Sequence, residues 1–374
     1  METEKRYLGL IYGALLLAVV VVGLGAFTRL TEAGLGCPDW PGCYGFLTVP
    51  VSPEKVEQAT QAFPNAPVEV HKAWNEMIHR YVAGTLGLVI AAIALFAWRG
   101  KRNGRGRVLP TALLGVVIFQ AALGMWTVTM NLMPIVVMAH LLGGFTTVTL
   151  LFLLAVLERR RVNNLAREPV TISPESSNNA NIATMDSVDL EPGKPSLSGK
   201  LKMLTVTALV AVIMQIALGG WTSANYAAVV CTQLPICEVD WVSGYDSAAF
   251  DPISPTSETY QYGVLGFEQR VTIHATHRIG AIVVTLLVLL LAMGIRRPLG
   301  NTSALLLVGV LLLQISLGIT NIVALLPLSV AVAHNLCGLL LLLVMVRTTV
   351  LVFFAQPSSV SQTSLGKSGR LSHG

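Results

Sequence analysis

Charge is what this chain has least of. Only 12% of its 374 residues are Asp, Glu, Lys or Arg while 53% are hydrophobic, and the mean hydropathy is +0.66. Water-soluble domains rarely have that balance, so a soluble protein is excluded and a multi-span membrane protein is expected. No small-residue cleavage site follows the first apolar run, which is therefore read as a retained helix and not as a removed signal peptide. Cysteine is scarce too, and four of the five, Cys37, Cys43, Cys231 and Cys237, fall in two loops. The net charge of +5 is a matter of topology and gives no reason to invoke nucleic acid.

What is present is a series of apolar runs. A hydrocarbon core of about 30 Å needs roughly 20 residues of helix, and eight stretches qualify, at 8–28, 76–98, 109–129, 135–157, 202–222, 272–295, 303–323 and 328–353. The fold class predicted is all-α and integral to a membrane. Arg99, Lys101, Arg102, Arg105 and Arg107 follow the second span, Arg159 to Arg161 the fourth, and Arg296 and Arg297 the sixth. By the positive-inside tendency these ends and both termini face the cytoplasm of a bacterial plasma membrane. Long loops at 29–75 and 223–271 then lie outside, where four cysteines spaced C-x5-C twice are compatible with two short disulfide-closed loops.

The chain is written twice. Residues 158–201, rich in Ser, Asn, Pro and acids, read as a flexible cytoplasmic linker, and 355–374 as a disordered tail. Either side of the linker, "LGAFTR" at 24–29 matches "LGGWTS" at 218–223. Cys37 with Cys231, Cys43 with Cys237, Gln120 with Gln314, and His140 with His334 all stand 194 residues apart. His79 and His277 stand 198 apart, as a four-residue loop insertion would give. Two pseudo-symmetric four-helix bundles, 1–157 and 202–354, are expected.

Each half then owns one histidine near the start of its second helix and one near the start of its fourth: His79 and His140, then His277 and His334. Both helices run in the same direction, which puts the paired imidazoles at similar depth, suited to one planar ring between them. Haem fits this best, as bis-histidine ligation takes one imidazole per helix across an apolar cavity. The glycines Gly84, Gly143, Gly144, Gly280 and Gly338 are expected to admit the ring. Arg80 and Arg278 directly follow a ligand and are candidates for binding the haem propionates. Glu76 shares a helix face with His79 at i and i+3, and an acid at that depth is a functional candidate. His274 takes its place in the second half, so the two sites are expected to have diverged.

Taken together, "EMIHR" at 76–80, "HATHR" at 274–278, the lone His140 and His334, "GLGCPDWPGC" at 34–43 and the paired loop cysteines resemble the haem A synthase family, that of bacterial CtaA and mitochondrial Cox15. The likeness covers both membrane halves. It implies an eight-helix enzyme that oxidises the C8 methyl of haem O to a formyl group, giving haem A for terminal oxidases. It further implies that His79 and His140 hold the substrate haem beside a catalytic Glu76, and that His277 and His334 ligate a haem b that passes electrons. Haem O synthase and cytochrome oxidase assembly factors are implied partners. Cys37 and Cys43 form either a redox-active disulfide or a loop staple; for Cys231 and Cys237 the staple is favoured. Cys337 is read as packing, the tryptophans Trp40, Trp126 and Trp221 as an interfacial belt, and residues 52–63 as a helix lying over the cavity. A two-haem electron-transfer protein and a haem carrier are the alternatives.

Overall fold

A computed structural model describes residues 2–99, 106–167, 197–235 and 237–354. The described residues are helical apart from their loops. In chain order the helices are α1 (Glu2–Leu30), α2 (Pro53–Ala62), α3 (Val70–Arg99), α4 (Val108–Thr129), α5 (Pro134–Arg167), α6 (Gly199–Ala224), α7 (Phe267–Leu299), α8 (Asn301–Val323) and α9 (Leu328–Phe354). All except α2 are long and apolar enough to cross a membrane. Their surfaces agree: Leu16, Leu88 and Leu305 are 69%, 75% and 70% exposed, which suits lipid and would be costly in water.

The helices are longer than the apolar runs that announce them. α3 begins at Val70 and α7 at Phe267, ahead of the expected 76 and 272, and α5 continues ten residues past 157 to Arg167. Helix geometry outlasts hydrophobicity because polar neighbours one turn apart pair with each other. Lys72 meets Glu69 at 2.9 Å, and Arg161 bonds Glu158 at 2.7 Å and also reaches Glu4 of α1. The segment read as a linker from 158 is therefore helical up to 167. Residues 168–196 and the tail at 355–374 lie outside the described residues.

α1, α3, α4 and α5 contact one another in a closed ring, as do α6, α7, α8 and α9, and the rings meet through α5 with α6 and α1 with α9. One apolar core runs through both, from Ile11, Ile90 and Leu151 to Leu291, Leu307 and Met345. Local backbone features recur at the sequence offset of 194. The chain leaves α1 and α6 through residues of positive φ, Glu32 and Tyr226, and leaves α4 and α8 through Asn131–Leu132 and Leu325–Leu326.

At this end of the helices the second long loop reaches across to the first ring. Tyr260 N–H donates to the Asn131 carbonyl at 2.9 Å, and the Asn131 side chain donates to the Glu258 carbonyl at 2.9 Å. Arg29, at the end of α1, donates to the Ser223 carbonyl and the Tyr226 hydroxyl, both at 2.8 Å, with its guanidinium 4.1 Å from the Tyr226 ring centroid. Trp221 departs from the expected belt: it is 5% exposed and donates to the Ala249 carbonyl at 2.9 Å, while Trp40 and Trp126 are exposed.

Candidate functional site

His79 on α3 and His140 on α5 face each other across the first ring. Their centroids are 6.5 Å apart with planes at 79°. Two imidazoles bound to opposite faces of one metal, each by a bond of about 2 Å, place their centroids about 6 Å apart. The pair therefore stands at haem-ligand spacing. Among the described residues no three His, Cys, Asp or Glu side chains cluster as a metal site, so the donor set is a pair of imidazoles.

All four histidines are seated alike. A Cβ added at Gly25, Gly124, Gly219 or Gly318 would lie 3.1–3.2 Å from Cε1 of His79, His140, His277 and His334 respectively. Each imidazole thus rests on a glycine of the neighbouring helix, and only a residue without a side chain lets it come so close. The glycines singled out from the sequence have other neighbours. Gly143 and Gly280 make room for the side chains of Gln120 and Gln215, Gly338 lies beside Gln314, and Gly84 has no close neighbour at all.

The glutamines hold the rings. Gln120 Nε2 lies 3.1 Å from His140 Nδ1 and donates to the His140 carbonyl at 2.6 Å; Gln215 does the same for His277, at 3.1 and 2.9 Å. Gln314 makes a looser contact, 3.3 Å to His334 Nε2. Outer partners of this kind orient a ligating histidine. Their sequence signal is Gln-x3-Gly, which occurs three times in helices otherwise poor in polar residues, at 120–124, 215–219 and 314–318. Gln120 and Gln314 are visible beforehand as repeat markers, whereas Gln215 and the seating role of the glycines emerge only in three dimensions.

Glu76 is 4% exposed, and both its oxygens are engaged. Oε2 accepts from the Cys37 backbone N–H at 2.9 Å, and Oε1 pairs with Arg80 Nη2 at 2.5 Å. Arg80 Nη1 donates in turn to the Asp39 carbonyl at 2.9 Å and the Gly42 carbonyl at 2.5 Å. Glu76 and Arg80 therefore grip the loop that the Cys37–Cys43 disulfide closes. In the second half Arg278 donates to the carbonyls of Cys231 and Gln233, at 2.6 and 2.8 Å, and so grips the loop of the Cys231–Cys237 disulfide. His274 is buried, with Nδ1 unpartnered. The arginines expected to face a ligand are thus also loop anchors. A loop that must be held above a membrane cavity needs its carbonyls satisfied, and an arginine directly after the histidine can reach them.

The first disulfide loop has its own small core of Tyr44, Val49, Ala59, Ala73 and Met77, with Phe63 edge-on to Tyr44 at 5.7 Å. α2 packs here, through Ala59. Tyr44 donates to the Pro67 carbonyl at 3.0 Å, and burial, helped by Glu69, Glu76 and Asp39, pushes its hydroxyl up to about 12. Cys337 is the free cysteine and is buried. An apolar cleft between α4 and α5, lined by Leu123, Trp126, Met130, Ile135, Val136 and Ala139, adjoins Gly124 and His140 in sequence.

Comparison with known proteins gives the same picture. The family model for cytochrome oxidase assembly proteins of the COX15-CtaA type matches residues 9–346. The haem A synthase of Shewanella oneidensis is 45% identical over 335 residues, 89% of this chain and 92% of that protein. Those of Mesorhizobium japonicum and Sphingopyxis alaskensis are 27% and 25% identical, each over 89% of this chain. With a family match along nearly its whole length, this chain belongs to the haem A synthase family of cytochrome oxidase assembly proteins.

Proposed function

We propose that this protein is a haem A synthase, a membrane oxidoreductase that takes haem O as substrate and oxidises its C8 methyl to a formyl group. The observation that carries this is the His79–His140 pair at 6.5 Å, each ring seated on a glycine, in a chain 45% identical to a haem A synthase. When bound, a haem supplies redox chemistry at iron and a porphyrin edge to be oxidised. The residues of the chain do the rest. His79 and His140 hold the substrate, and the cleft along Leu123, Trp126 and Ile135 offers its long apolar tail an apolar lining.

His277 and His334 hold a second haem, of the b type, which relays electrons; α5, which carries His140, contacts α6 of the second ring. Glu76 acts in the substrate site from its place at the loop, taking or steadying a proton on the reacting side of His79. Arg80 and Arg278 anchor the loops and have N–H groups left for propionates, the Arg278 Nε being without a partner. The two halves form pseudo-symmetric bundles in a bacterial plasma membrane with both termini cytoplasmic, and haem O synthase supplies the substrate.

The test is to express the protein with a source of haem O and to identify the extracted haems by chromatography and mass. Wild type should hold haem b with haem O or haem A, and Glu76→Ala should keep haem b while accumulating haem O or a partly oxidised form. Two equal haem b sites in both proteins would replace the synthase by an electron-transfer protein.

A further inference from the structure

The long loop of the second half crosses to the first, where it binds the turn between α4 and α5. The Tyr260 N–H donates to the Asn131 carbonyl at 2.9 Å, and the Asn131 side-chain amide donates to the Glu258 carbonyl at 2.9 Å. Gln261 extends the contact with a longer bond, 3.4 Å, to the Glu32 carbonyl. The equivalent turn of the second half, 194 residues on, is Leu325–Leu326. It has the same left-handed backbone and the same closing bond, from the Leu326 N–H to the Asn321 carbonyl as from the Leu132 N–H to the Thr127 carbonyl, both 2.8 Å. Leu325 has no side-chain amide to offer and is 66% exposed. Such a turn therefore folds without a strap, and the strap at Asn131 is an addition. What it borders is the apolar cleft of about 370 Å³, lined by Met130 just before Asn131 and by Ile135 and Val136 just after it. The cleft begins beside the ligand, since Leu123 and Ala139 adjoin Gly124 and His140. Ile135 also packs with Met138 against Trp221, Ala249 and Ile273, so the second half supports the cleft wall as well as its rim.

We propose that Asn131 is a specificity-determining residue: bonded to the loop of the second half, it fixes the rim of the cleft so that the first-half site takes a tetrapyrrole with a long apolar tail in preference to one without. The inference rests on the reading of His79 and His140 as the haem O site, and adds what makes that site prefer the tail. Within a membrane an apolar tail gains little from entering an apolar cleft, because lipid chains are as apolar as the walls. Selection then depends on close packing against walls that are already in place, which is preorganisation. Apolar contacts alone would let the rim yield. Asn131 instead engages the segment 258–260 through its carbonyl and its side chain together, so that two bonds set both the position and the orientation of the turn. The left-handed conformation, φ 50°, is one that asparagine tolerates well.

The experiment supplies the full chain in detergent with haem O and haem b mixed in varied proportions, and identifies the bound haems by extraction and chromatography. Wild type is expected to keep haem O in the first-half site against an excess of haem b. Asn131→Leu, which gives the turn the residue of its repeat, should bind as much haem in total, while the excess of haem b that displaces half of the haem O falls by about 2–10-fold, the worth of one hydrogen bond. Asn131→Asp keeps the size of the side chain but cannot donate to the Glu258 carbonyl; it should move the displacement in the same direction, and it tests the idea even where the leucine variant does not fold. Displacement unchanged in the folded variants, or a loss of both haems together with the preference intact, as a merely structural strap would give, would overturn the proposal. A wild type from which haem b displaces haem O at equal concentration has no preference for the tail and fails earlier, at the reading of the first-half pair as the haem O site.

Discussion

The two halves of the chain differ most where they ought to match. Both carry a histidine pair on glycine seats, a disulfide-closed loop and an arginine that grips it. Only the first has an acid at the grip, Glu76, bonded to the Cys37 N–H; the second has the buried His274 there. Of the four rings only that of His79 has no glutamine beside it, while the Nδ1 atoms of both His79 and His334 are unpartnered. Duplication thus left two histidine pairs on like glycine seats, and a few substitutions in the shell around them set the halves apart. The histidines and their glycine seats are what the two halves share, and the side chains around them are what differs.

The largest break in this comparison should come from the ligands. His79→Ala or His140→Ala should remove one haem per chain and abolish haem A formation, while His277→Ala or His334→Ala should remove the other, as counted by haem-to-protein ratio. Equal loss of both haems from any single variant would mean that the halves are not separate sites.

Next comes the position at which the halves diverge. Glu76→Ala leaves the largely buried Arg80 guanidinium without its carboxylate, a change that costs about 3–5 kcal/mol for a buried pair. It should lower the thermal midpoint as well as stop turnover. His274→Ala breaks no ion pair and should cost less on both counts. Activity that follows His274 and not Glu76 would reverse the assignment of the halves.

Third are the glycine seats. Alanine at Gly25, Gly124, Gly219 or Gly318 puts a Cβ 3.1–3.2 Å from an imidazole carbon, so the ring must give way by a few tenths of an ångström, an overpacking of about 1–3 kcal/mol. The expected reading is a shifted low-spin haem spectrum, larger at Gly219, where Gln215 prevents the ring from adjusting, than at Gly25.

The smallest effect should come from Tyr44→Phe, which removes the hydrogen bond to Pro67 and should cost about 1 kcal/mol. The pH dependence has a definite sign. The folded state holds the Tyr44 hydroxyl neutral up to about 12, against 10.0 unfolded, so its contribution is complete below pH 10 and is lost between pH 10 and 12. Alkaline melting curves of wild type and Tyr44→Phe should converge across that window.

How much of this was legible beforehand depends on range. Eight apolar runs gave eight membrane-length helices because, in a bilayer, a backbone with no water must satisfy itself locally. The disulfide loops were legible from cysteine spacing. The helix ends were not, since Val70–Asn75 and Glu158–Arg167 are helical through ion pairs and packing that hydropathy does not register. The glycine seats were hidden for a similar reason: Gly143 is one turn from His140 in sequence, but the residue touching the imidazole, Gly124, lies on another helix. Arg80 and Arg278 read as ligand-facing because their loop partners are some forty residues away.

The sequence by itself determined the membrane class, the duplication, the four histidines and the family, since each is a matter of composition, spacing or residue identity. Only the tertiary structure decided what surrounds those histidines: which glycine seats each ring, which glutamine holds it, and that His79 has none. Such contacts join helices far apart in the chain, and their energies depend on a few tenths of an ångström, a distance that residue spacing does not encode.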